Sequence, residues 1–472
     1  MAAIVTNKFR LNNAEQFYES FGEASTSFYL FVGRPQPWTA TTPFGGGSDS
    51  APPTPLDNVD DEYMYFRDML AAKRIAAADI QYAIPRHNWD TSQTTVYDYY
   101  RGDYGAQWSS TASDIVKTVN NGTSLWASTT LFYVLTDDNN VYKCMWNNGG
   151  VASTVKPTGT SNSELSTADG YVWKYMFTLT TTQITDFLTA DFMPVATNAT
   201  VAGAAVDGAV RHYKVMRGGA GYTDGAHPGT LEGDRAVRGG TAATFTVNVT
   251  GGVVTSVVAV GAGSKYTFAD CNIDGVSGIG TPSTSAIVTP IIGPPGGHGS
   301  NAINELGGFY IMTNTTISGT EGGGDFVVDQ DFRRVGIVLN PYNFGTSTVA
   351  TASTLNALKS MTFSGTPGAF VADEPISAPS GAAGICVSFD STTKILKYIQ
   401  TQWTGVNAAG SEVAFVASDV VTGGTSSATG TIASLTNPEI AYYTGNGIYV
   451  EDRAPISRAT DQTENIKLIV EF

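Results

Sequence analysis

Chemistry in this chain would have to begin with its histidines, its clustered carboxylates or its glycine-rich loops. The four histidines are His87, His212, His227 and His298. No two have the spacing of metal ligands, and His298, inside PPGGHG, reads as a turn residue. Asp325, Asp329 and Asp331 could hold Ca²⁺ only by departing from the usual acidic loop, so a solvated turn is expected there. GGGSDS at 45–50 and RGGAGYT at 217–223 are glycine-rich. Neither runs into Gly-Lys-Ser/Thr or lies in a βαβ setting, so neither is expected to hold phosphate. No Gly-x-Ser-x-Gly elbow is present, and 42 acidic residues make any nominated glycosidase pair unspecific. The expectation is no catalytic, cofactor-binding or metal-binding residue, and no enzyme.

Composition narrows the class. The 472 residues are 14% charged, against about 25% in ordinary globular proteins, and include 52 glycines. Low charge with many aromatics and much Gly, Ser and Thr is the profile of β-rich structural proteins, not of disordered chains. A net charge of −16 argues against nucleic acid as a partner. The nearest approaches to a basic cluster are Lys73-Arg74 and Arg333-Arg334. Cys144, Cys271 and Cys386 lie far apart and are expected as buried free thiols. The first ten residues lack the apolar core of a signal peptide, and no run is long enough to span a membrane. A soluble protein made in the cytoplasm is expected.

The elements that would position these residues are mostly strands. Residues 3–10 are predicted as a short strand, followed by a helix over Ala14–Phe21 capped by Asn12 or Asn13. The apolar run SFYLFVGR predicts a buried strand. Tyr63, Phe66, Met69, Leu70 and Ile75 fit an amphipathic helix across Asp60–Ala78. LFYVL at 131–135 and VYKCMW at 141–146 flank TDDNN, which predicts a hairpin. A strand entered through Asp169-Gly170 follows. From 202 the texture changes: GGAGYT at 218–223 is echoed by GAGSKYT at 261–267, and the stretch beginning Phe370-Val371-Ala372 by that beginning Phe415-Val416-Ala417. Both pairs read as duplicated small β modules. The last run sets Ile466, Leu468, Val470 and Phe472 on one face, so all four are expected to be buried in a sheet shared with residues 3–33.

Seven stretches then coincide, in order, with one family: AIVTNKFR at 3–10, FVGRPQPW at 31–38, AIPRHNWD at 83–90, VYKCMW at 141–146, DGYVWKYMF at 169–177, FRRVGIVLNP at 332–341 and the closing segment Gly447–Phe472. The chain resembles the gene product 8 family, the baseplate wedge subunit of T-even-type contractile-tailed bacteriophages. The resemblance implies a mainly β, multi-domain, β-sandwich-like protein with a few short helices, in which the N- and C-terminal segments share one domain. It also implies a homodimer in the tail baseplate of a virion assembled in the host cytoplasm. Its partners would be other wedge proteins, and it would take part in baseplate rearrangement as the tail contracts. The expected organisation is a wedge core at 1–201, 301–351 and 441–472, carrying glycine-rich β-repeat inserts at 202–300 and 352–440. The alternative is a tail protein that binds or degrades host-surface glycan through those inserts.

Overall fold

Strand Phe28–Gly33 is buried at every position, because it has a strand on either side and both faces are covered. In the computed structural model it pairs antiparallel with Gln330–Leu339 and with Met69–Arg74. The sheet extends outward to Thr354–Asn356 on one side and Asn446–Arg458 on the other. The structure describes residues 4–39, 47–106, 123–317, 327, 330–401, 404, 410–458 and 463–472. Its architecture is mainly β, in several sheets with five α-helices among the described residues. None of those helices is long and apolar enough to cross a membrane.

The chain forms two compact units. One comprises Met1–Gln16, Gln81–Met312 and Ile469–Phe472, so it holds both chain ends; the other comprises Phe17–Ile80 and Thr313–Leu468.

In the first unit the TDDNN turn joins Tyr133–Leu135 to Asn140–Asn147 as expected, with Asn139 at φ 58°. Tyr171–Thr178 pairs beside them after the Asp169-Gly170 turn, Gly170 at φ 81°. Downstream, residues Val210 to Val288 gather a separate apolar core. Here the two glycine-tyrosine echoes become matching corners. Gly219 and Gly221 have φ of 68° and 85°, and Gly263 and Lys265, each 44 positions on, have 60° and 62°. The tyrosine after each corner turns its hydroxyl inward. Tyr222 donates to Asp274 Oδ1 (2.5 Å) and accepts from Ala286 N (2.6 Å). Tyr266 donates to Leu231 O and accepts from Ala243 N, both at 3.0 Å.

In the second unit, residues 359–436 close a six-stranded antiparallel barrel. Its lining alternates along each strand: Met361 and Phe363, Leu396 and Tyr398. The second sequence echo is a two-fold relation within this barrel. Strands Pro375–Ser377 and Val420–Gly423 pair with each other. Asp373 and Ser418, 45 positions apart, both take positive φ (61° and 73°). Each repeat also supplies an acid that ties the other's turn. Glu374 accepts from the Thr425 and Ser426 amides (3.0 and 2.8 Å), and Asp419 accepts from Ser380 Oγ (2.7 Å).

Three local expectations are corrected. Residues 7–20 are one helix, Asn7–Ser20, not a strand then a helix. Thr6, not Asn12 or Asn13, starts it by accepting from Phe9 N through Oγ1 (3.3 Å). Ile4, Val5 and Phe9, whose apolarity suggested a strand, are exposed. The helix expected across 60–78 spans only Val59–Arg67, capped by Asn58, whose Oδ1 accepts from Asp61 N. Met69–Arg74 is instead recruited as a strand by Phe28–Gly33, tertiary pairing overriding helix propensity. In the closing run Ile466 and Leu468 are buried, whereas Val470, near the end of strand Glu464–Glu471, and Phe472, just past it, are half-buried. The end of that run is nevertheless fastened: Phe472 N donates to Phe309 O (3.1 Å), and Arg10 bonds Glu471 and Phe472 O.

Candidate functional site: a buried arginine junction and a buried lysine centre

Arg333 and Arg334, the more conspicuous of the two basic pairs, are internal and neutralised. Both lie on strand Gln330–Leu339, beside an irregularity in its pairing with Asn446–Arg458, and neighbouring strand residues face opposite ways. Arg333 binds Asp49 (2.9 and 3.1 Å), Asp331 (2.9 Å) and Pro35 O. Arg334 grips Asp452 with two bonds (2.7 and 3.2 Å) and reaches Asp68 at 3.2 Å. Asp68 also lies 4.0 Å from Arg34, and its carbonyl accepts from Arg34 N (2.9 Å). Trp38 roofs the cluster, its ring 4.8 Å from the Arg34 guanidinium and 5.5 Å from that of Arg334. Its indole N–H donates to Arg453 O (2.9 Å).

Burial would lower the Arg334 guanidinium, but Asp68 and Asp452 outweigh it and hold it above its ordinary value. Burial pushes the Asp68 and Asp452 carboxyls up, against the pull of Arg334. Two arginines and two aspartates, nearly solvent-free, make a neutral knot that can hold segments in one register. Arg334, Asp68 and Asp452 are spent on one another, which suits the knot to holding structure.

The segments it knots are informative. Arg34 and Trp38 belong to FVGRPQPW, Arg333 and Arg334 to FRRVGIVLNP, and Asp452 and Arg453 to the closing stretch. Three stretches lying as far as 415 positions apart thus meet at one point. Comparison with known proteins bears on the first of them. The family described as "Bacteriophage T4, Gp8" matches residues 3–206, less than half of the chain. Residues 3–206 are thus similar to the gp8 family. The baseplate wedge protein gp8 of Enterobacteria phage T4 is 28% identical over 193 residues, covering 37% of this chain and 55% of that protein. The chain thus spans little more than half the length of that relative. The gp8 match stops near the start of the first glycine-rich module, and through Pro35 and Trp38 the matched region touches both later stretches directly.

A second charged centre, in the first unit, was not foreseen. Lys143 of VYKCMW is fully buried, and its Nζ contacts Glu305, His298 Nδ1 (2.9 Å) and the Tyr104 hydroxyl (3.2 Å). His298 does sit in a glycine turn, with Gly296, Gly297 and Gly299 at positive φ, but it faces this centre. A lysine inside a strand of otherwise apolar and aromatic residues was the available signal; its partner lies 162 positions away.

The remaining expected positions are ordinary. Burial lowers His87 to about 4. His227 bonds Thr223 O (2.8 Å). His212 stacks on Trp146, ring centroids 6.0 Å apart. Arg74 donates to Thr351 O. Asp325 and Asp329 lie outside the described residues, and Asp331 is bound by Arg333 and Ser457. All three cysteines are buried and free.

Proposed function

We propose that the chain is a structural subunit of a phage-tail baseplate wedge, a homodimer that holds wedge proteins together and moves with them as the tail contracts. The observation carrying this reading is the arginine junction: the region similar to gp8 is tied there to the two later stretches that share the resemblance. In this reading, residues 1–201, 301–351 and 441–472 are the wedge core, and 202–300 and 352–440 are inserts that widen contacts with neighbouring subunits. The subunit turns over no substrate, needs no cofactor, and contacts protein rather than nucleic acid or membrane. A stiff β scaffold with charges spent internally suits a part that moves as a rigid body between discrete contacts. Electron cryomicroscopy of the tail of the phage encoding this chain tests the reading: density for it belongs in the baseplate as a two-fold pair. Density confined to fibres or capsid would refute it.

A second reading rests on one groove of about 760 Å³, lined by Tyr99, Trp146, Arg211, His212 and Lys214, within the usual size of ligand clefts of about 300–1,000 Å³. Its aromatic rings and basic rim suit a sugar bearing acidic groups. Glycan-array binding by the full chain, abolished by Trp146→Ala, would favour this reading; an empty array would remove it.

A further inference from the structure

The Lys143 centre contains more than an ion pair needs. The carboxyl of Glu305 is held asymmetrically. Its Oε1 accepts from two backbone amides, Gly299 N (2.7 Å) and Asn301 N (3.3 Å). Its Oε2 meets Lys143 Nζ and accepts from the Tyr104 hydroxyl at 3.4 Å. His298 Nδ1 stands 2.9 Å from the same amine. Aromatic rings close the site: Tyr100 against His298 (4.7 Å), Trp126 stacked on Tyr104 (5.0 Å), and Phe132 beyond.

We infer that Lys143 and Glu305 become joined by an isopeptide bond, formed by the folded chain itself. The nucleophile is the Lys143 amine. Desolvation lowers its ammonium from the ordinary value, although Glu305 opposes this. His298, which burial keeps neutral, takes the amine's proton at Nδ1 in its Nε2–H tautomer. The amine attacks Cδ of Glu305, and charge gathers on Oε1, where the Gly299 and Asn301 amides wait as an oxyanion hole. Oε2 then departs as water, protonated through the Tyr104 hydroxyl and His298. One C–N bond forms and one C–O bond breaks. An ammonium and a carboxylate become an amide and one water, so atoms and charge balance with no oxidant, reductant or co-reactant. Two effects make this feasible. Fixed neighbours react with effective molarities of about 10⁵–10⁸ M, and a site with Lys143 wholly buried does not readmit water easily.

The product would staple strand Asn140–Asn147 to helix Ala302–Leu306, the two ends of a segment that includes the whole 202–300 module. A part that transmits force gains from such a bond, but the inference stands on the site alone, whatever the chain assembles with.

The test is the intact mass of the full-length chain, purified folded and then denatured. The expected mass is lower than the sequence mass by one water, about 18 Da, with a branched peptide joining the segments around Lys143 and Glu305. Lys143→Met and Glu305→Ala should restore the full sequence mass. Glu305→Gln should reach the same crosslinked mass by releasing ammonia. A folded wild-type chain at full sequence mass overturns the proposal, as does a water loss that persists in Lys143→Met.

Discussion

Replacing Arg334 by methionine measures what the arginine junction holds. Methionine keeps much of the side chain's length and apolar packing, so the change is mainly one of charge. It strands Asp452, whose carboxylate loses both of its bonds to the guanidinium, and it leaves Asp68 with Arg34 at 4.0 Å. Breaking a buried pair from one side costs about 3–5 kcal/mol, because a charge is left in low dielectric without a counterion. The rings of Tyr65 and Trp38, 4.9 and 5.5 Å from the guanidinium, add about 0.5–1 kcal/mol each. A loss of about 4–7 kcal/mol in unfolding free energy is therefore expected, read as a fall in the urea midpoint of the second unit at unchanged slope. Arg453→Met is the control. That residue, 41% exposed, faces Glu451 at 3.7 Å, and such pairs contribute about 0–1 kcal/mol. If Arg334→Met costs no more than Arg453→Met, the junction does not lock these stretches, and the gp8-like region is not tied to the later segments through it.

Other outcomes follow from single sites. Tyr266→Phe removes the hydroxyl shared by Leu231 O and Ala243 N and should cost about 1–3 kcal/mol by stranding a buried amide, visible as faster amide exchange at Ala243. Gly219→Ala, at φ 68° with its new Cβ 2.5 Å from Thr284 O, should cost about 1–3 kcal/mol in thermal unfolding; a neutral result would refute the corner. Glu374→Gln loses a charged acceptor for the Val371, Thr425 and Ser426 amides and should destabilise the barrel by about 1–3 kcal/mol in urea titration. Stability should also fall with acid. Asp169 and Glu374 are held below their ordinary values: burial pushes each up, but the hydrogen bonds they accept outweigh it. Their contribution is therefore complete above the unfolded carboxylate range, about pH 4, and is lost as pH falls toward the lower folded values. A melting temperature independent of pH below that point would contradict this.

Much of the architecture could be read from local pattern because the determinants were local. A continuous apolar run marked Phe28–Gly33, Asn and Asp at 137–140 marked a hairpin, and paired Gly-Tyr motifs marked two corners that do share their positive-φ positions. Determinants that act at a distance left no such trace. Nothing near Met69–Arg74 announces that it will be drawn into a sheet rather than continue a helix. Arg333-Arg334 was only the nearest approach to a basic cluster, and nothing local showed that Arg334 is neutralised by Asp68 and Asp452, 266 and 118 positions away. Lys143 and Glu305 are separated by an entire module, and only the fold brings amine, carboxyl and imidazole together. Phe370 and Phe415 revealed a repeat, but not that the repeats close one barrel and cap each other through Glu374 and Asp419.

The wedge assignment itself is tested most directly by reconstitution. The purified full-length chain is mixed with the other wedge proteins of the same phage, and species masses are read by mass photometry. The account predicts a dimer alone and a larger complex containing that dimer on mixing, with Arg334→Met weakening the complex. A chain that stays monomeric and passes through the mixture unchanged would contradict it.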